Sequence, residues 1–173
     1  ASNNTAVGHN SLTANTTGAE NVAVGMTAMA VNTTGTDNTA LGVAALAANT
    51  TANSNTAIGR AALEVNTTGT QNTAVGASAL DANTTGDKNT AVGYNVLTAN
   101  TTGERNSSIG RGSLQTNSTG DYNTANGYNA LASNTTASSN TAVGYNALLV
   151  NTTGTANVAV GFQALDAATT ASN

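Results

Sequence analysis

Residues 55–71 read N-T-A-I-G-R-A-A-L-E-V-N-T-T-G-T-Q, and close variants of these 17 letters fill the rest of the chain. Asn55 recurs as Asn4, Asn21, Asn38, Asn72, Asn89, Asn106, Asn123, Asn140 and Asn157, always 17 residues apart, giving ten units of equal length. A fixed period without insertions marks stacked coils, in which each repeat touches only its neighbours. The chain is therefore expected to be an all-β parallel β-solenoid, or β-roll, of ten 17-residue coils, self-associating. Residues 1–173 read as a single repeat array. With the first Asn of each unit as position 1, Ala1-Ser2-Asn3 and Ala171-Ser172-Asn173 both occupy positions 15 to 17. The register predicts a window of a longer array, or a subunit whose end meets another's beginning. Ala168 stands where Asn is usual, and Ala171 where Gly is usual.

Composition excludes several partners. The chain has 8 acidic and 4 basic residues, a net charge of -4, and 7% charged residues. Nucleic acid needs clustered Lys and Arg to displace counterions from phosphate, and there is no such cluster. No apolar run approaches the ~20 residues of a membrane span. Cysteine is absent, so no disulfide helps the fold. Aromatics are 3%, too few for the core of a conventional domain of this length. The strict register of Val, Leu and Gly argues against disorder despite the low complexity.

Within a unit, positions 2 to 4, mostly T-A-V, read as a short strand. Position 4 (Val7, Val24, Leu41, Ile58, Val75, Val92, Ile109, Val143, Val160, broken by Asn126) is expected to point inward. Position 3, Ala in nine units and Ser108 in one, is also expected to pack closely. Both faces of the strand then count as buried, which one coil cannot achieve alone, so side-by-side association is expected, most simply a trimer. Position 5 is Gly throughout, implying positive φ or a close backbone approach. Positions 8 and 9 are small-then-Leu, readable as a one-turn helix closed by the position-12 Asn or as an inward-facing strand, and the strand is preferred. All charged residues fall at positions 6, 10, 16 or 17, for example Arg60, Glu64, Asp87, Lys88, Glu104 and Arg105, and these are expected to face water. Ten coils at ~4.8 Å each make a rod of roughly 48 Å.

Three residue columns are candidate sites. Asn15, Asn32, Asn49, Asn66, Asn83, Asn100, Asn117, Asn134 and Asn151 sit in Asn-x-Ser/Thr sequons, as do Asn3 and Asn106 by letter. They are candidates for covalent glycans. The other reading is an internal asparagine ladder bonding coil to coil, favoured because sugars ~4.8 Å apart would crowd. Threonines at positions 2, 13 and 14 suggest either an ice-binding array or a hydroxyl ladder between coils. Tyr94, Arg111, Tyr128, Tyr145 and Phe162 follow one another at position 6, as a surface for host-surface glycan or as a self-stacking column. Enzyme chemistry, metal and cofactor find no support: His9 has no fixed acidic partner, and no carboxylate recurs at one position.

The units Ala-Val-Gly-x-x-Ala-Leu and Ala57-Ile58-Gly59-x-x-Ala62-Leu63 resemble the head repeats of YadA-like trimeric autotransporter adhesins, which read roughly V-A-I-G-x-x-A-x-A-x-G. They are also similar to repeats of phage and bacterial tail fibres. The resemblance covers all ten units, while the N-T-T-G corner makes this period longer. It implies a trimeric, extracellular, adhesive left-handed parallel β-roll. Together these readings predict a non-enzymatic structural protein. It would form an extracellular fibre or stalk on a cell or virion surface, N-glycosylated, with itself as partner in a filament or trimer and with neither nucleic acid nor membrane insertion. An adhesin or tail-fibre shaft binding host glycan is the first alternative, and an ice-binding solenoid the second.

Overall fold

The computed structural model describes residues 1–170 and Ser172, so the position-15 alanine Ala171 lies outside the described residues. Ten three-residue strands form one parallel sheet in chain order: β1 (Thr5–Val7), β2 (Val22–Val24), β3 (Thr39–Leu41), β4 (Thr56–Ile58), β5 (Thr73–Val75), β6 (Thr90–Val92), β7 (Ser107–Ile109), β8 (Thr124–Asn126), β9 (Thr141–Val143) and β10 (Val158–Val160). Each residue pairs with its equivalent 17 positions on, as Ala57 with Ala74 and Ile58 with Val75. The chain is thus an all-β parallel β-solenoid, and no helix occurs among the described residues.

The strand faces are the reverse of one expectation. Position 3 points inward: Ala23, Ala40, Ala57, Ala74 and Ala91 are fully buried. Position 4 points outward, with Leu41 47% and Ile58 36% exposed and Val75 and Val92 half-buried. Alternation along a strand allows only one of the two faces inside. The narrow interior of a 17-residue coil takes the methyl group and excludes the branched chain. Asn126 therefore lies exposed on the outer face rather than in the core.

Opposite the alanines stand positions 8 and 9. Ala45, Ala62 and Ala79 are buried, as are Met29, Leu46, Leu63, Leu80, Leu97, Leu114, Leu131 and Leu148. Each fully buried Leu contributes ~1.5–3 kcal/mol. Positions 3 and 8 meet across the interior in the seventh unit, where Ser replaces Ala at both. There Ser108 Oγ and Ser113 Oγ lie 2.6 Å apart, so the two buried hydroxyls satisfy each other.

Positions 8 and 9 form neither the expected strand nor a helix. They lie in turns, and besides the position-5 glycine the backbone is left-handed at three points of each of the first nine coils. Position 9 is one of them, with φ 50° at Leu46 and 51° at Leu63; position 7 is another, 58° at Ala44, and position 17 the third, 58° at Gln71. A side chain in this region costs roughly 1–2 kcal/mol. At position 9 leucine burial outweighs the cost. At position 17 the return is a backbone bond to the preceding coil, such as Asp37 N–H to Ala19 O at 3.1 Å. Position 5 does need glycine. Gly59 has φ 136°, and a Cβ there would lie 2.5 Å from the Gly76 carbonyl oxygen of the next coil.

Gln71 is exposed and left-handed, so Gln71→Gly should remove ~1–2 kcal/mol of strain against ~0.5–1 kcal/mol of added chain entropy. The expected result is a small rise in stability, up to about 1 kcal/mol, in chemical denaturation. A loss of stability contradicts the strain assigned to position 17.

Candidate functional site

Half of the interior is polar, built from two asparagine columns and one carbonyl column. At position 1, Asn21 and Asn38 are fully buried. The Asn38 backbone N–H donates to Asn21 Oδ1 at 3.0 Å, and Asn38 Nδ2 donates to the same oxygen at 3.2 Å. At position 12, Asn49 Nδ2 donates to Asn32 Oδ1 at 2.8 Å, and Asn100 Nδ2 to Asn83 Oδ1 at 2.8 Å. Both columns also converge on the position-15 carbonyl of their own coil. The Gly35 oxygen accepts from Asn21 Nδ2 at 2.8 Å and from Asn32 Nδ2 at 3.1 Å. Each amide therefore works both along the rod and across the coil. In a buried, low-dielectric interior such bonds are strong, and a missing partner is costly.

This geometry supports the internal-ladder reading of the sequon asparagines. Asn32, Asn49, Asn66, Asn83, Asn100, Asn117, Asn134 and Asn151 are fully buried, and Asn106 is 1% exposed. The Asn83 Nδ2 donates to Asn66 Oδ1 at 2.9 Å and to Gly86 O at 3.0 Å. An N-linked sugar replaces one of those two hydrogens and needs space that the coil lacks. Asn15 is half-buried, with its Nδ2 on Gly18 O at 3.0 Å, while Asn3 is exposed. The position-12 column stops at Ala168, and Asn151 Oδ1 is left buried with no donor.

The threonines divide by position. At position 13 the hydroxyls donate along the rod, Thr67 Oγ1 to Thr84 O and Thr84 Oγ1 to Thr101 O, both at 3.1 Å. At position 14 they are exposed, Thr68, Thr85 and Thr102 among them.

All five predicted position-6 residues come together as one exposed column. The Tyr128 and Tyr145 rings stack at 5.3 Å, and those of Tyr145 and Phe162 at 5.2 Å. The Arg111 guanidinium lies 5.9 Å from the Tyr94 ring and 5.4 Å from that of Tyr128, and it donates to the Tyr128 hydroxyl at 2.8 Å. Ring faces are thus taken up by neighbours, and ring edges remain in solvent. A second pair went unread in the sequence: Arg105 lies 5.3 Å over Tyr122, one coil on, and pairs with Glu104 at 2.9 Å. Its signal was there, since Arg105 and Tyr122 are 17 residues apart at position 17.

The titratable groups do not gather. His9 is exposed, and among the described residues no cluster of three His, Asp or Glu could hold a metal. A shallow groove is lined by Glu64, Val65, Asp81, Ala82, Thr98 and Ala99. Burial there pushes the Asp81 carboxyl above its ordinary range. The Glu64 charge adds to this, opposed by hydrogen bonds from the Ala82 and Asp81 backbone and from Ser78. No protein family, curated protein or solved structure matches the chain.

Asn83→Ala removes two donors and one acceptor from the ladder, leaving Asn66 Oδ1 and Asn100 Nδ2 short of partners. A loss of ~2–3 kcal/mol in denaturant titration is expected, against ~0.5 kcal/mol or less for Thr85→Ala on the exposed face. Because folding raises the Asp81 pKa, the group favours the native state below the ordinary carboxyl range. That contribution is lost as pH rises through the native pKa. Asp81→Asn should therefore raise the melting temperature relative to the parent more at pH 7 than at pH 3. Equal differences at both pH values contradict the shift.

Proposed function

We propose that this chain is a structural protein, an extracellular fibre or stalk at a cell or virion surface, with a mechanical rather than a catalytic role. One observation carries the reading: the hydrogen bonds of successive coils run along the rod. Strand bonds such as Thr56 N–H to Asn72 O at 2.8 Å, the asparagine ladders and the position-13 hydroxyls all join one coil to the next. Adding a coil adds the same bonds again, so length is gained at constant cohesion, within one chain or between copies. The exterior fits exposure to changing media. With 7% charged residues, few exposed charges contribute to cohesion, which makes it nearly independent of salt. The titratable groups lie scattered over the outer corners, which favours a surface over an active site.

The exposed position-6 column supports a second reading, a shaft that also meets host glycan through the edges of Tyr128, Tyr145 and Phe162. Electron cryomicroscopy and fibre diffraction of the native material test the main reading. Long filaments with a ~4.8 Å axial repeat are expected. Isolated rods of roughly 48 Å under every condition overturn the fibre. Glycan-array binding by such isolated rods points to the shaft instead.

A further inference from the structure

Parallel sheets occur almost only with both faces covered. Here the inner face is covered by the chain's own leucines, and the outer face is bare. Leu41 and Ile109 are 47% and 44% exposed in the position-4 column, and Thr39, Thr56 and Thr73 are half-buried at position 2 beside it. No acidic residue occurs at position 2, 4 or 6 in any coil. The face runs ten strands at ~4.8 Å by about four residues at ~3.3 Å, or roughly 600 Å². Two such faces together bury about 1,200 Å², the lower bound for a specific, stable interface.

We infer that the occupant of this face is a second copy of the chain, with the two rods parallel and the position-4 columns packed on each other. The proposal rests on the reading of the chain as a self-associating structural rod. Two residues choose the parallel arrangement. In a fully overlapped antiparallel pair, coil four meets coil seven, which sets Arg60 against its like charge Arg111. The same pairing sets coil eight against coil three and buries the Asn126 amide on Leu41. A buried amide without a partner is costly. About an axis along the rod, Asn126 instead meets its own equivalent, and two amides can donate to each other. The position-6 column then borders position 2, where the Thr56 hydroxyl accepts from Arg60 and the Ser107 hydroxyl from Arg111. A single polar residue in an apolar seam is a known means of fixing register.

The chain has no cysteine, so one introduced thiol reports the arrangement cleanly. In a parallel pair, Val75→Cys brings two equivalent thiols together. Oxidation with copper phenanthroline should give a covalent dimer of twice 16.8 kDa. Thr68→Cys, on the exposed position-14 column, should give none. Sedimentation should find two laterally paired copies in the parent, falling to one in Val75→Lys/Val92→Lys with unchanged circular dichroism. A single-copy mass at up to about 1 mM protein overturns the proposal, as an ordered-water surface would require. A three-copy mass also overturns it, as does cross-linking only between mixed Val75→Cys and Val92→Cys chains. Pairs that never lengthen support the proposal and remove the fibre reading alone.

Discussion

The interaction on which the rest depends is the asparagine amide bonded at once to the coil below and to the carbonyl of its own coil. Asn89 illustrates it: its Oδ1 accepts the Asn106 backbone N–H at 3.0 Å, while its Nδ2 donates to Gly103 O at 2.8 Å. In the first nine coils two such columns share one carbonyl per coil, so the spacing among positions 1, 12 and 15 is fixed. One inserted residue would leave several buried polar groups unpaired, each costing ~1–3 kcal/mol. This explains why the period never varies, and why Asn rather than Gln or Ser holds both positions. The amide must donate twice and accept at the length of a single methylene.

The apolar half of the interior is thin by comparison. Alanine at positions 3 and 8 and leucine at position 9 fill it, and no aromatic enters. So small a core would not sustain a compact domain of this length. It suffices here because stacking makes one core continuous along the rod. Left-handed residues at positions 7, 9 and 17 turn the chain tightly enough to close a coil in 17 residues. Their strain is offset locally by leucine burial and by inter-coil backbone bonds, so stability is distributed coil by coil rather than concentrated in a nucleus.

The exterior carries what individuality the chain has. Its columns differ in kind: exposed threonine at position 14, rings and arginine at position 6, aliphatic side chains at position 4, charge at positions 10, 16 and 17. A repeat that stacks every residue on its equivalent converts one choice of residue into a stripe running the length of the rod. The stacked Tyr145 and Phe162 rings and the Arg111 guanidinium between Tyr94 and Tyr128 are direct results of that multiplication. Such stripes suit association along a length better than capture of a small molecule.

Periodicity alone determined the solenoid, the number of coils, the short strand at positions 2 to 4, the ring column and the placement of charge at the corners. It did so because a repeat stacks like on like, and a 17-residue offset in sequence is contact in space. Only the tertiary structure decided which strand face lies inside. Thr-Ala-Val offers a plausible inward residue on either face, and the width of the closed coil, not hydrophobicity, selects Ala. It likewise shows the Asn-Thr-Thr asparagines buried as a ladder, the reading that the coil spacing already favoured over a sugar acceptor. Burial of Asn83 and its neighbours supports the ladder, since both amide hydrogens are already committed. The left-handed turn at leucine was not legible either. Residue type disfavours that conformation, and the closure of the whole coil imposes it.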